Sequence, residues 1–174
     1  MKRTGVTLLL IILITGSGLT AFGQETVPEN EDSPESVIKD LYQLVSIEKG
    51  KIHDWDLVRE LFHENANIVL RTSMTASTVF DLDGFIGDFV KFVTDYNIIE
   101  TGFTEKIVKM KPFIFGDIAS VLVVYEASVP GSGRQPQQGL DSIQLIRQDV
   151  GWKIISIINE IPIPERPFPD ELRD

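Results

Sequence analysis

Residues 115–128, FGDIASVLVVYEAS, and residues 139–161, GLDSIQLIRQDVGWKIISIINEI, decide the fold of this chain. Gly116-Asp117 and Asp149-Val150-Gly151 fall where tight turns reverse a chain, and the runs between them are rich in Val, Ile and Tyr, which suit a pleated surface. They read as consecutive antiparallel strands, two of them joined by the loop 130–139 (PGSGRQPQQG), whose Gly, Pro and Gln content marks a flexible connector. That connector is either solvated or a lid in which Arg134 meets an anionic ligand.

An antiparallel sheet with one wet face alternates apolar and polar residues. Here it does not. Over 118–128 one face carries Ala119, Val121, Val123, Tyr125 and Ala127, and the other carries Ile118, Leu122 and Val124 among Ser120, Glu126 and Ser128. Both faces want cover, and helices can cover only one, so a homodimer packed sheet against sheet is expected. Strong curvature that hides part of the second face is the alternative.

Upstream, the periodicity changes from two to 3.6. Ser33, Pro34 and Glu35 open a helix as cap, first helical residue and acid at the positive end, and Val37, Ile38, Leu41, Leu44 and Val45 form its stripe before Gly50. A second, shorter helix follows Asp54, with Leu57, Val58, Leu61 and Phe62 as its buried face, and a strand runs over 67–71. A third helix is predicted over 82–96, capped by Asp81, with Phe85, Ile86, Phe89, Val90 and Val93 on one face. Two further strands cover 103–115 and 118–128. Helices first and a meander afterwards is the α+β pattern.

The first 23 residues follow the secretory plan: Lys2 and Arg3, an apolar run over 6–14, then small residues ending Ala21-Phe22-Gly23 before Gln24. Residues 1–23 are expected to be a cleaved signal peptide, with the protein exported to the periplasm or the medium. The run falls short of the roughly 20 residues of a membrane span, so no stable membrane insertion is expected after cleavage. Residues 24–33 read as a disordered linker, 34–162 as one domain, and 163–174 as a proline-rich extended tail on the surface or across a dimer partner. With no cysteine in 174 residues, no disulfide braces the fold. Losing the leader removes two basic and no acidic residues, taking the formal charge from −10 to −12. Nucleic acid is a poor partner for such a chain; the nearest basic group, Lys106, Lys109 and Lys111, reads as a solvated strand face.

The segments GDIASV, GLDSIQLIR and GWKI, together with DWDLVRELFHENANIV, resemble the nuclear transport factor 2-like superfamily and its SnoaL-like members. The resemblance spans about residues 34–162. It implies a cone: a curved antiparallel sheet wrapped around about three N-terminal helices, with a pocket between them. It also implies a small, mostly apolar molecule as partner. The superfamily includes isomerases, dehydratases and cyclases as well as plain binding modules.

The two histidines, His53 and His63, lie ten residues apart in no metal-ligand spacing, and no phosphate loop or nucleophile elbow is present, so neither metal nor organic cofactor is expected. What remains is acid–base chemistry in an apolar pocket. Polar residues that interrupt apolar segments are the candidates: Asp141, His63 and Tyr125 for catalysis, and Trp55, Arg71, Gln144, Asn159 and Glu160 for ligand binding. Asp141 is the leading base and Tyr125 a donor to a developing oxyanion; Arg147, on the same strand, is able to neutralise Asp141. The Tyr-and-acid oxyanion donors of the ketosteroid isomerases and the His/Asp set of the scytalone dehydratases are not matched. Three functions stay open: an exported small-molecule-binding protein, a cofactor-independent isomerase or dehydratase, and a non-catalytic interaction module.

Overall fold

A computed structural model describes residues 32–173. The leader and residues 24–31 of the linker lie outside the described residues. Helix α1 (Pro34–Val45) starts as its sequence dictates: Ser33 is extended, its Oγ accepts from the Ser36 amide at 3.1 Å, and Pro34 fills the first turn. Its buried stripe is Ile38, Leu41, Tyr42 and Val45, with Val37 and Leu44 only flanking the core. The helix stops at Val45, before Gly50. There Ser46 Oγ donates to the Tyr42 carbonyl (2.9 Å), and Ile47 pairs with Phe103.

Helix α2 (Trp55–Glu60) buries only Val58, while Leu57 is exposed and Phe62 already belongs to the first strand. Strand β1 (Phe62–Arg71) thus begins earlier than expected. Its polar start, His-Glu-Asn-Ala-Asn, hides a register shift between Phe62 and Asn67, which breaks the alternation that would reveal a strand. Strand β2 (Ser77–Asp81), absent from the sequence reading, forms a hairpin with β1 and stays largely exposed at the sheet edge. Helix α3 (Leu82–Asp95) follows, Asp81 accepting from the Gly84 amide at 2.8 Å. After the short α4 (Ile98–Thr101) come β3 (Thr104–Phe115), β4 (Ile118–Ser128), β5 (Gln137–Gln148) and β6 (Gly151–Glu160).

The six strands form one sheet in the order β2-β1-β6-β5-β4-β3. The last four are the antiparallel meander read from the sequence. The sheet as a whole is mixed, because β1 lies parallel to β6, and this corrects the expected all-antiparallel sheet. A hairpin cannot make that pair. The intervening helices and meander bring the chain back beside β1 in the same direction. Register shifts at Ile107/Lys109 in β3 and at Gln144/Leu145 against β6 bend the strands, giving the sheet its cone-like curve. The concave face presents Val121, Val123, Ile143, Leu145, Ile154 and Ile157 to α1 and α3.

The tail folds back on its own chain. Lys109 Nζ donates to the Arg173 carbonyl (2.7 Å), and Leu172, in a short 3-10 turn (Asp170–Leu172), is buried. No helix among the described residues is long and apolar enough to cross a membrane.

Candidate functional site

A cavity of about 210 Å³ lies between α1, α3 and the concave face. Its walls are apolar, among them Leu41, Val45, Ile68, Leu70, Phe85 and Phe89. One end is polar. There Asp141 of β5 accepts from Tyr42 Oη of α1 at 2.6 Å and from Asn159 Nδ2 of β6 at 2.8 Å. Asn159 Nδ2 also donates to Tyr125 Oη of β4 (3.0 Å), and its Oδ1 accepts from the Arg71 amide (3.4 Å). Asn159 therefore ties three strands to one point. Register explains the cluster, since Asp141 sits opposite both Val123 and Asn159, so β4, β5 and β6 turn these side chains to the same face. Gly139 sits opposite Tyr125, and a Cβ there would fall 2.3 Å from the Tyr125 ring; the glycine is what lets the ring lie flat against β5.

A second carboxyl, Glu105 of β3, lines the same cavity. Its backbone is fixed by Ser46, whose Oγ accepts from the Glu105 amide (3.0 Å) and shares its one proton between the Tyr42 carbonyl and the Glu105 carbonyl (3.1 Å). Burial raises Glu105 from 4.5 to about 8, the charge of Asp141 adding to the effect. Burial also raises Asp141, to about 6, opposed by the hydrogen bonds from Tyr42 and Asn159. Both tyrosines are pushed up by burial and the neighbouring carboxyls, so their hydroxyls keep their protons. At neutral pH the polar end holds a carboxylate, a neutral carboxyl and two phenols, a set that can accept a proton at one point and donate at another.

The structure brings Asp141, Tyr125 and Asn159 of the sequence candidates together. Arg71 lines the mouth, its guanidinium held by both oxygens of Glu160, and Arg166 joins Glu160 at 3.1 Å. The pair holds Glu160 down to about 2. Three candidates fall elsewhere. His63 is in β1; its Nδ1 accepts from the Asn65 amide (3.1 Å), and it lines a groove on the convex face. Gln144 points to that same face, bonded to Ser120 Oγ (2.9 Å), because it lies one residue out of phase with Asp141 and Ile143. Trp55 packs behind the wall, its ring 4.2 Å from His53 and 5.6 Å from Phe89. Arg147 pairs with Asp32 and does not neutralise Asp141.

Tyr42 and Glu105 are members that sequence reasoning missed. A hydroxyl-bearing residue on the i, i+3, i+4 stripe of Ile38, Leu41 and Val45 is the signal for the first. An acid in phase with Phe103 and Ile107 is the signal for the second. Among the described residues no three His, Cys, Asp or Glu side chains come together to hold a metal ion.

This architecture recurs in solved structures. A protein of the NTF2-like family from Streptomyces avermitilis, provisionally described as a dehydratase, superposes with TM-score 0.58 at 13% identity, over 74% of this chain and 93% of that one. The chain has the nuclear transport factor 2-like fold. A second match, provisionally described as a ketosteroid isomerase, comes from Shewanella frigidimarina, with TM-score 0.53, 19% identity and coverage of 72% and 92%. A third is a chain of the yeast complex of the deubiquitinase Ubp3 with its Bre5 cofactor, with TM-score 0.52, 7% identity and coverage of 74% and 92%. At these identities the likeness concerns the fold alone. No protein-family model matches the sequence, and no curated protein matches it significantly.

Proposed function

We propose that this protein binds a small, mostly apolar molecule in the cavity between helices and sheet, with a polar function of that molecule turned towards Asp141 and Tyr125. The carrying observation is a cavity between helices and sheet with apolar walls and one polar end, in which Asp141 is held by Tyr42 and Asn159. Tyr125 Oη accepts from Asn159 and keeps its proton for a ligand. The volume is below the usual range of drug-sized pockets, which favours a compact ligand.

A second reading, proton transfer without a cofactor, has its own support: a carboxylate raised to about 6 is close to the working range of a general base, and a neutral phenol stands beside it. The neighbours described as an isomerase and a dehydratase agree with it. The interaction-module reading draws on the Ubp3–Bre5 neighbour, but a cone with an open, polar-ended cavity counts against it.

The proposal extends to setting and assembly. The leader plan supports export with cleavage near Gly23 and Gln24, and exposed Phe113, Phe115 and Ile118 on the convex face support a homodimer through the sheet. Native mass spectrometry of protein purified from its own host without detergent tests the binding: a discrete extra mass is expected. For catalysis, cyclohexanone in D₂O with the protein should exchange its α-hydrogens faster than with Asp141→Asn. Equal rates would leave the pocket a binding site only.

A further inference from the structure

We propose that the ligand this pocket recognises is a small organic cation: an ammonium carried on a compact aromatic or alicyclic body. The inference rests on the cavity being a ligand site and adds the charge of what enters it.

Two carboxyls, Asp141 and Glu105, line one small cavity, and they are not alike. Asp141 has two donors, Tyr42 and Asn159. The Glu105 side chain is half-buried between the cavity and the outer groove, and its carboxyl has no hydrogen-bond or ion-pair partner among the described residues. Buried charges are ordinarily paired, and an unpaired one is costly enough that the group neutralises itself instead. The one cation lining the cavity, Arg71, is committed to Glu160 on the mouth side. Among the described residues, no lysine or histidine lines it. Behind Glu105 an open groove carries Lys39 and Glu48, one charge of each sign.

An ammonium supplies what is missing. It brings three N–H donors to a space bounded by Glu105, Asp141 and the Tyr125 oxygen, and a positive charge between two carboxyls. The walls suit the rest of it. Phe85, Phe89, Tyr42 and Tyr125 offer aromatic faces, which attract cations as well as apolar bodies. The Tyr42 and Tyr125 rings are 5.9 Å apart, so a group at the polar end meets both. An anionic ligand would set its charge against Asp141. A neutral alcohol or ketone would accept a hydrogen bond from the protonated Glu105 carboxyl but bring no positive charge to Asp141.

The proton balance gives the inference a signature. Bringing an ammonium beside Glu105 ionises it, and its proton leaves to solvent, so near neutral pH binding releases protons. A neutral ligand releases none. The pH dependence involves the groups that face Glu105: Asp141, Tyr125 and Tyr42 across the cavity, Arg71 at the mouth, and Lys39 and Glu48 in the outer groove.

The test is titration calorimetry on the full chain with 2-phenylethylamine, benzylamine and cyclohexylamine, each beside its neutral alcohol counterpart, and with phenylacetate, in buffers of different ionisation enthalpy. Expected is an amine bound at least about tenfold more tightly than its alcohol, with proton release that Glu105→Gln abolishes. Circular dichroism establishes that the variant is folded; should it not fold, proton release by the unaltered protein decides alone. An alcohol bound as tightly as its amine, or amine binding without proton release, overturns the cation and leaves the binding site standing. No binding by any probe at millimolar concentration overturns both.

Discussion

Asn159 fixes the polar end of the cavity, since it alone bonds Tyr125, Asp141 and the backbone of β1. Gly139 acts at the same point through its missing side chain. Gly139→Ala drives a methyl into the Tyr125 ring, so a loss of about 1–3 kcal/mol is expected in urea unfolding, together with weaker ligand binding. The two raised carboxyls set a pH slope. Each binds its proton more tightly folded than unfolded, so the stability they contribute is full below about pH 4. It falls as pH rises through about 6 for Asp141 and about 8 for Glu105. Glu160 has the opposite sign: its contribution is present above 4.5 and lost as pH falls towards about 2. Melting temperature should therefore decline between about pH 5 and about pH 9, and Glu105→Gln should flatten the upper part of that decline, at roughly 2–4 °C per kcal/mol in a domain of this size. A slope unchanged in the variant would mean that Glu105 titrates as an ordinary surface acid. Of these residues, Asp141, Tyr125 and Asn159 stand out in the sequence as polar interruptions of apolar strands. Tyr42 and Glu105 do not, because their meeting with Asp141 depends on packing between segments far apart in the chain.

At the scale of elements, what the sequence reveals follows local chemistry. The caps at Ser33, Asp54 and Asp81 and the turn at 116–117 are written in residues that make those shapes, and the helices and hairpins form there. Strand β2 and the first half of β1 are held by pairing with other strands, not by their own pattern, and so were not legible. The parallel β1–β6 pair is likewise a property of the assembled sheet. Helix α1 links element to site, since the helix that Ser33 caps carries Tyr42 to Asp141. Ser33→Ala should cost about 1 kcal/mol by loss of the cap. Chemical unfolding reads that cost, and amide exchange should quicken in the first turn of α1 while β4 and β5 stay protected.

For the whole molecule, the convex face is the open question of assembly. Phe115, Ile118 and Ile146 lie on adjacent strands in one cross-strand row, and Phe113 flanks it. A row so apolar and so exposed is expected to be shared between two copies, and sedimentation equilibrium at micromolar concentration should report a dimer that Ile118→Lys dissociates. A clean monomer before substitution removes the assembly and leaves the pocket untouched.

The parallel pairing of β1 with β6 has a bearing on how the chain folds. The last strand of this sheet in chain order is not an edge strand but an inner one, flanked by β1 and β5. Until residues 151–160 are present, the hairpin β1–β2 has nothing to join and the meander lacks the strand that carries Asn159. Completion thus waits for contacts between distant parts of the sequence, which slows folding relative to a domain built from neighbours. A chain cut after Gln148 should therefore lose its middle and not its margin. The parts on either side of the gap would collapse separately, and the cavity would exist in neither.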